Sequence, residues 1–271
     1  MPSALSSQFE LAAGSVIGRR HLDAGKGNQD AFAWRESAGG IVAVVCDGCG
    51  SGEHSEVGAQ LGARLLVEEL TRALEANAKL DELQTWEGVR TATLAKLREV
   101  ATSLGGSFDE VVSELLLFTV VGVAMTETLT SIFSIGDGLF ALNGEVKPLG
   151  PFPGNAPPYL SYGLVERDGP RFVTQKLVAT SEVKHLLLGT DGAGDLQEVA
   201  ARNLPGATEP IGPLSQFWLD DRYFKNRDAI RRRLAMANRE ISRPIWAEQR
   251  VAKEGGLLPD DTTLLVLRRK S

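Results

Sequence analysis

Ile41-Val42-Ala43-Val44-Val45-Cys46-Asp47-Gly48-Cys49-Gly50-Ser51-Gly52 holds the fold's central instruction. A run that is apolar at every position has no solvent face, so Ile41 to Cys46 is predicted as a strand buried on both sides. It stops abruptly at an aspartate and a glycine-rich loop. Beyond the loop, Val57, Leu61, Leu65, Leu70 and Leu74 recur at the three-to-five-residue spacing of an amphipathic helix, predicted over Glu56 to Ala78.

Working outward, a strand near Gly14, a Gly-rich loop from Asp23 to Gly27 and a β-like run from Asp30 to Trp34 precede the buried strand. A second long helix is predicted from Asp81 to Leu104, stopped by Gly105-Gly106. Then come strands over Glu114 to Met125, Thr130 to Ile135 and Leu139 to Leu142. Asn143-Gly144 is a hairpin signal returning through Glu145 to Lys147. Residues 148–170 carry six prolines and four glycines and are expected to form a mobile flap. Strands at Arg171 to Ala179 and Val183 to Thr190 follow, with a helix starting near Asp195. A helix from Arg227 is predicted to turn Ile230, Leu234, Ala237 and Ile241 inward and to stop near Arg243, ahead of Pro244. Thr262 to Leu267 is the last strand. Helices, then strands, then helices, then a strand is an α+β order, which favours antiparallel sheets covered by helices.

With 271 residues the chain suits one large domain or two small ones, at roughly 150 residues per domain. No boundary divides it, so residues 1–271 are read as a single domain. Apolar residues at 43% and charged residues at 24% are ordinary globular composition, which excludes fibrous and disordered classes. The net charge of −6 argues against a nonspecific nucleic-acid or anionic-membrane binder. The longest apolar run, Leu115 to Met125, falls short of the roughly 18 to 20 residues of a membrane helix. The N-terminal residues lack a basic segment followed by an apolar one, so the expected location is cytoplasmic; the oligomeric state is left open, with a monomer favoured. Cys46 and Cys49 are then expected to stay reduced.

Four apolar runs each meet an aspartate at one end: Asp30 before Ala31 to Trp34, Asp47 after Ile41 to Cys46, Asp191 after His185 to Thr190, and Asp260-Asp261 before the last strand. One such aspartate is ordinary turn chemistry. Four that converge would repel one another unless cations bind between them. Hard oxygen donors suit Mg²⁺ or Mn²⁺, and a carboxylate bridging two such ions about 3.5 to 4 Å apart can hold a shared water of lowered pKa. The chemistry implied is metal-assisted phosphoester hydrolysis. Other motifs have structural explanations: Cys46-Asp47-Gly48-Cys49 has redox spacing but lies at a buried strand end, and Arg231-Arg232-Arg233 suits a solvated helix face.

Asn28-Gln29-Asp30-Ala31, Val45 to Ser51, Ser55 to Ala59, Ile135-Gly136-Asp137-Gly138, Gly189-Thr190-Asp191-Gly192 and Asp260-Asp261-Thr262-Thr263 together resemble the metal-dependent protein phosphatase family, protein phosphatase 2C, in a divergent bacterial branch. The resemblance implies a four-layer α-β-β-α sandwich of two antiparallel sheets flanked by helix pairs. It implies a serine/threonine protein phosphatase acting on phosphoprotein substrates through two Mn²⁺ or Mg²⁺ ions and a metal-bridging water. By motif, Asp47 would bridge the ions with the Gly48 carbonyl on one of them. Asp191 and Asp260 would complete the second ion's ligand shell, Asp137 would form a third, weaker site with Asp191, and Asp30 would hold metal-bound water or the nucleophile. The family's phosphate-gripping arginine is absent from its usual place, for which Arg20 and Lys26 are the leading substitutes and His21 another. Cys49 occupies the position of the family's proposed general-acid histidine, leaving His54 as a nearby alternative, and Leu117-Phe118-Thr119 replaces the usual strand start. The rival readings are a catalytically weak binding or regulatory module and a small-molecule phosphatase.

Overall fold

The computed structural model describes residues 4–270. A short helix α1 (Ala4–Gln8) leads into β1 (Phe9–Val16), followed by α2 (Arg19–Ala24), β2 (Asp30–Ser37) and β3 (Gly40–Asp47). Strand β3 is the apolar run that the sequence sets at the centre, and its alternation assigns its two faces. Ile41, Ala43 and Val45 join one buried cluster with residues of the opposite sheet, while Val42, Val44 and Cys46 join another with the helices. Full burial of such side chains contributes about 1.5–3 kcal/mol each.

Two long helices cover that outer face: α3 (Ser55–Glu75) and α4 (Leu83–Leu104). A shorter helix, α5 (Phe108–Leu115), then precedes β4 (Val120–Met125). The strand expected from Glu114 therefore starts later. Ser107 caps α5 by accepting the Glu110 N–H, and the chain leaves the helix only at Leu116. The meander β5 (Leu129–Ile135), β6 (Gly138–Leu142) and β7 (Glu145–Leu149) follows, with the Asn143-Gly144 turn in place. After the 148–170 segment come β8 (Val173–Ala179), β9 (His185–Gly189), α6 (Gly192–Glu198), two four-residue helices α7 (Gln216–Leu219) and α8 (Arg222–Lys225), and α9 (Ala229–Ala237).

The expected helix from Arg227 is shorter than predicted. It ends at Ala237 because the Asn238 side chain turns away to donate to the Ile17 carbonyl and to accept the Leu258 N–H. Ile241 lies instead on β10 (Ile241–Ile245), which pairs with β11 (Arg250–Glu254) as an isolated hairpin. Pro244 sits on that two-stranded ribbon, where its missing N–H is tolerated. The last strand is β12 (Thr262–Arg269).

The strands form two five-stranded antiparallel sheets, ordered β1-β12-β9-β6-β7 and β2-β3-β4-β5-β8. Ala13, Val45, Val121, Phe140, Leu188 and Leu265 pack between them. Helices α6 and α9 cover the outer face of the first sheet, as α3 and α4 cover the second. The result is the four-layer α-β-β-α sandwich of an α+β fold. Among the described residues no helix is long and apolar enough to cross a membrane.

Candidate active site

One end of the sandwich collects the aspartates, each placed by backbone pairing. Asp30 opens β2 and Asp47 closes β3, and the two stand opposite each other in the ladder. Asp191 follows β9, Asp137 lies in the β5–β6 turn, and Asp260-Asp261 immediately precede β12. The last pair is wedged between two backbones. A Cβ on Gly18 would lie 2.3 Å from the Asp260 carbonyl carbon, and one on Gly192 2.0 Å from the Asp261 carbonyl oxygen. Only glycine allows either approach.

Asp47, Gly48, Asp137, Asp191 and Asp260 line a cavity of about 240 Å³ together with His21, Cys49, Gly50, Ser51, Pro157 and Tyr159. Burial pushes the Asp47 carboxyl well above the usual carboxylate range, and Asp30, Asp191, Asp260 and Asp137 push it further. Asp191 is pushed up to about 7 by burial and by Asp260 and Asp137. Asp137 is raised by burial. Asp30 is raised well above its ordinary value by burial and by Asp261 and Asp191, against the lowering effect of the Thr190 hydroxyl. The Thr190 hydroxyl donates to Asp30 Oδ2 at 2.7 Å, while Oδ1 is buried with no hydrogen-bond partner.

An all-oxygen donor set held under mutual repulsion, with an orphaned buried carboxylate oxygen beside it, fits hard divalent cations. Asp47, Asp191, Asp260, Asp137 and the Gly48 carbonyl are the groups of the cavity that could hold them. Asp195, which sequence reading took only as a helix start, lies at the cluster's edge. Burial raises its carboxyl and Asp260 raises it further. Its position in the first turn of α6, four residues after Asp191, was the signal.

The cationic candidates separate. Lys26 Nζ donates to the carbonyls of Gly50 (2.7 Å) and Gly52 (3.2 Å), tying down the loop after Asp47. Arg20 is exposed on α2 and acts electrostatically on Asp195. Neither lines the cavity, whereas His21 does. His54 is exposed, with Nδ1 3.3 Å from Glu56. Burial raises the Cys49 thiol, yet hydrogen bonds from Ser51 and Tyr159 outweigh it and hold the thiol below its ordinary value. The Leu117-Phe118-Thr119 segment bridges to the site through Gly48 and Phe118, and the Thr119 N–H donates to the Asp47 carbonyl at 2.8 Å.

Within 148–170, Pro157 and Tyr159 supply one cavity wall. The part that follows is anchored on α4. Arg90 donates to the carbonyls of Gly169 and Pro170, Arg98 donates to Leu164, and Leu160 is fully buried. Residues 151, 153, 154 and 156 are exposed.

Solved structures share this fold at low sequence identity. A bacterial serine phosphatase is 14% identical, with a TM-score of 0.52 over 97% of this chain and 98% of that one. The catalytic domain of the serine/threonine phosphatase PstP, solved with two manganese ions, is 13% identical with a TM-score of 0.51, covering 97% and 99%. Stp1 of Staphylococcus aureus is 13% identical with a TM-score of 0.50, covering 97% and 96%. No curated protein matches the sequence. The family model described as protein phosphatase 2C matches residues 17–217, a span that holds Asp30, Asp47, Asp137 and Asp191. By that match over most of its length, the chain belongs to the protein phosphatase 2C family.

Proposed function

We propose that this chain is a Mn²⁺- or Mg²⁺-dependent phosphatase that hydrolyses phosphoserine and phosphothreonine in proteins. The observation that carries the reading is the convergence of Asp30, Asp47, Asp137, Asp191 and Asp260 at one end of the sandwich, with four of the five carboxyls raised. Such a cluster is stable as anions only around cations. The PstP structure of like fold holds two manganese ions, which supports a two-ion site here, with Asp137 as the ligand of a third.

Divalent cations bound there supply charge neutralisation at the phosphoryl group and a water of lowered pKa. The residues of the chain do the rest. Asp47 and Asp191 face the cavity from opposite sheets, so the two strand ends fix the spacing of the ligands. Asp30 Oδ1, buried and without a protein partner, is the acceptor that orients the attacking water and receives its proton. Thr190 holds the other oxygen of that carboxylate and so sets its orientation. The Lys26 clamp on Gly50 and Gly52 fixes the loop carrying Gly48 and Cys49. The chain's net charge of −6 and an acidic cavity suit an enzyme whose protein substrate is drawn by the ions rather than by a basic surface.

The test is hydrolysis of a phosphothreonine peptide beside p-nitrophenyl phosphate. Turnover of the peptide supports the protein-phosphatase reading. Turnover of the small ester alone points to a metabolite phosphatase. Folded protein that binds Mn²⁺ and turns over neither is a binding module.

A further inference from the structure

Among the described residues lining the cavity, His21 carries the only side-chain nitrogen. The rest are carboxylates, a thiol, a phenol, a hydroxyl, a proline and glycines. A phosphoryl group entering such a site needs a donor of its own besides the ions, and Arg20 and Lys26 are both elsewhere.

We propose that His21 grips the phosphoryl oxygens of the substrate through Nε2, and that Asp261 is the residue that positions its ring. The proposal rests on the phosphatase reading and assigns the phosphate contact within it. The Asp261 carboxylate is buried and fixed at both oxygens: Oδ1 accepts the Gly18 N–H at 2.6 Å and Oδ2 the Gln29 N–H at 2.5 Å. His21 Nδ1 is buried and lies 2.9 Å from Asp261 Oδ1, a close contact too oblique for a linear hydrogen bond. His21 lines the cavity, and with Nδ1 buried against Asp261, Nε2 is the ring nitrogen left to reach into it. Asp261 N–H donates to Asp260 Oδ1 at 2.9 Å. One dipeptide therefore sets both an ion ligand and the orientation of the phosphate donor.

The competing use of the imidazole is as an ion ligand, since one ring nitrogen of His21 and carboxylate oxygens of Asp260 and Asp261 lie within 4.8 Å of one another. Both Asp261 oxygens already accept backbone N–H groups, and Mg²⁺ and Mn²⁺ favour oxygen donors, so the phosphate contact is the better match.

Calorimetric binding of inorganic phosphate to the Mn²⁺-saturated protein separates the two. His21→Ala is expected to weaken phosphate about tenfold and to raise phosphopeptide KM by a like factor, with kcat less affected and Mn²⁺ affinity unchanged. His21→Gln, whose amide can donate from a similar position, is expected to recover part of the loss. In the unsubstituted protein, the His21 Nε2 ¹⁵N resonance should move as phosphate is added, a readout that needs no variant to fold. Unchanged phosphate affinity in His21→Ala, a stationary Nε2 resonance, or lost Mn²⁺ affinity would each overturn the assignment. His21-dependent phosphate binding without phosphopeptide turnover would sustain it and count against the phosphatase reading alone.

Discussion

The hydroxyl of Thr190 reaches from the end of one sheet to Asp30 Oδ2 on the first residue of the other, at 2.7 Å. The same hydroxyl accepts the Thr263 N–H at 3.0 Å, so β9, β12 and β2 share one polar knot beneath the cavity. Thr190→Val keeps the shape and removes the donor. A buried group left without its partner costs about 1–3 kcal/mol. Urea unfolding is expected to show a loss of that order, and phosphopeptide kinetics a fall in kcat with KM little changed, because Asp30 orients the attacking water and does not itself bind the substrate.

Metal-free protein should lose stability as pH rises. Asp191 is pushed up to about 7 by burial and its acidic neighbours, and Asp30 and Asp47 are raised as well. A carboxyl whose folded pKa exceeds its unfolded value near 4 stabilises fully below that value, and the contribution disappears as pH climbs through the folded pKa. Thermal unfolding in EDTA is expected to give a lower Tm at pH 8 than at pH 5. Saturating Mn²⁺ should erase or reverse that order, and a flat profile in EDTA would contradict the clustering.

The same repulsion gives a test with opposite signs in two conditions. Asp47→Asn removes one half-buried carboxylate repelled by Asp30, Asp191, Asp260 and Asp137. Without metal at pH 8 it should be more stable than the unsubstituted protein, and with Mn²⁺ less so, because the bound state contributes RT ln(1 + [L]/Kd) only where the ion binds. Differential scanning calorimetry with and without Mn²⁺ reads both signs.

Lys26→Met keeps the aliphatic stem and removes the ammonium that ties Gly50 and Gly52. The expected result is faster proteolytic nicking within residues 49–53 and about tenfold lower kcat/KM, with inorganic phosphate binding unchanged. Loss of phosphate binding in this variant would move the phosphate contact from His21 to Lys26.

What the sequence carried most legibly was what repeats locally. The unbroken apolar run to Cys46 specified a strand with two buried faces, and Asp47, Asp191 and Asp260 could be placed at strand ends because apolar runs stop there. Two short helices hid in apolar or glycine-rich text. Leu115 to Phe118 is apolar across the join between α5 and β4, so periodicity could not divide it, although Ser107 and Glu110 have capping-box spacing. Gly25, taken as a loop glycine, is the left-handed cap that ends α2 at φ +69°. The end of α9 was illegible because Asn238 stops it through partners 20 and 221 residues away. The His21–Asp261 pairing spans 240 positions, and nothing near either residue announces it.

The central claim is that the converging aspartates hold the ions of a protein phosphatase, and its most direct test is phosphothreonine-peptide hydrolysis with Mn²⁺, Mg²⁺ or EDTA by the unsubstituted protein, Asp47→Asn and Asp191→Asn. The account predicts turnover with the ions, none in EDTA, and loss of at least a hundredfold in both variants. Folded protein inactive with every ion, or turnover that survives Asp47→Asn, would contradict it.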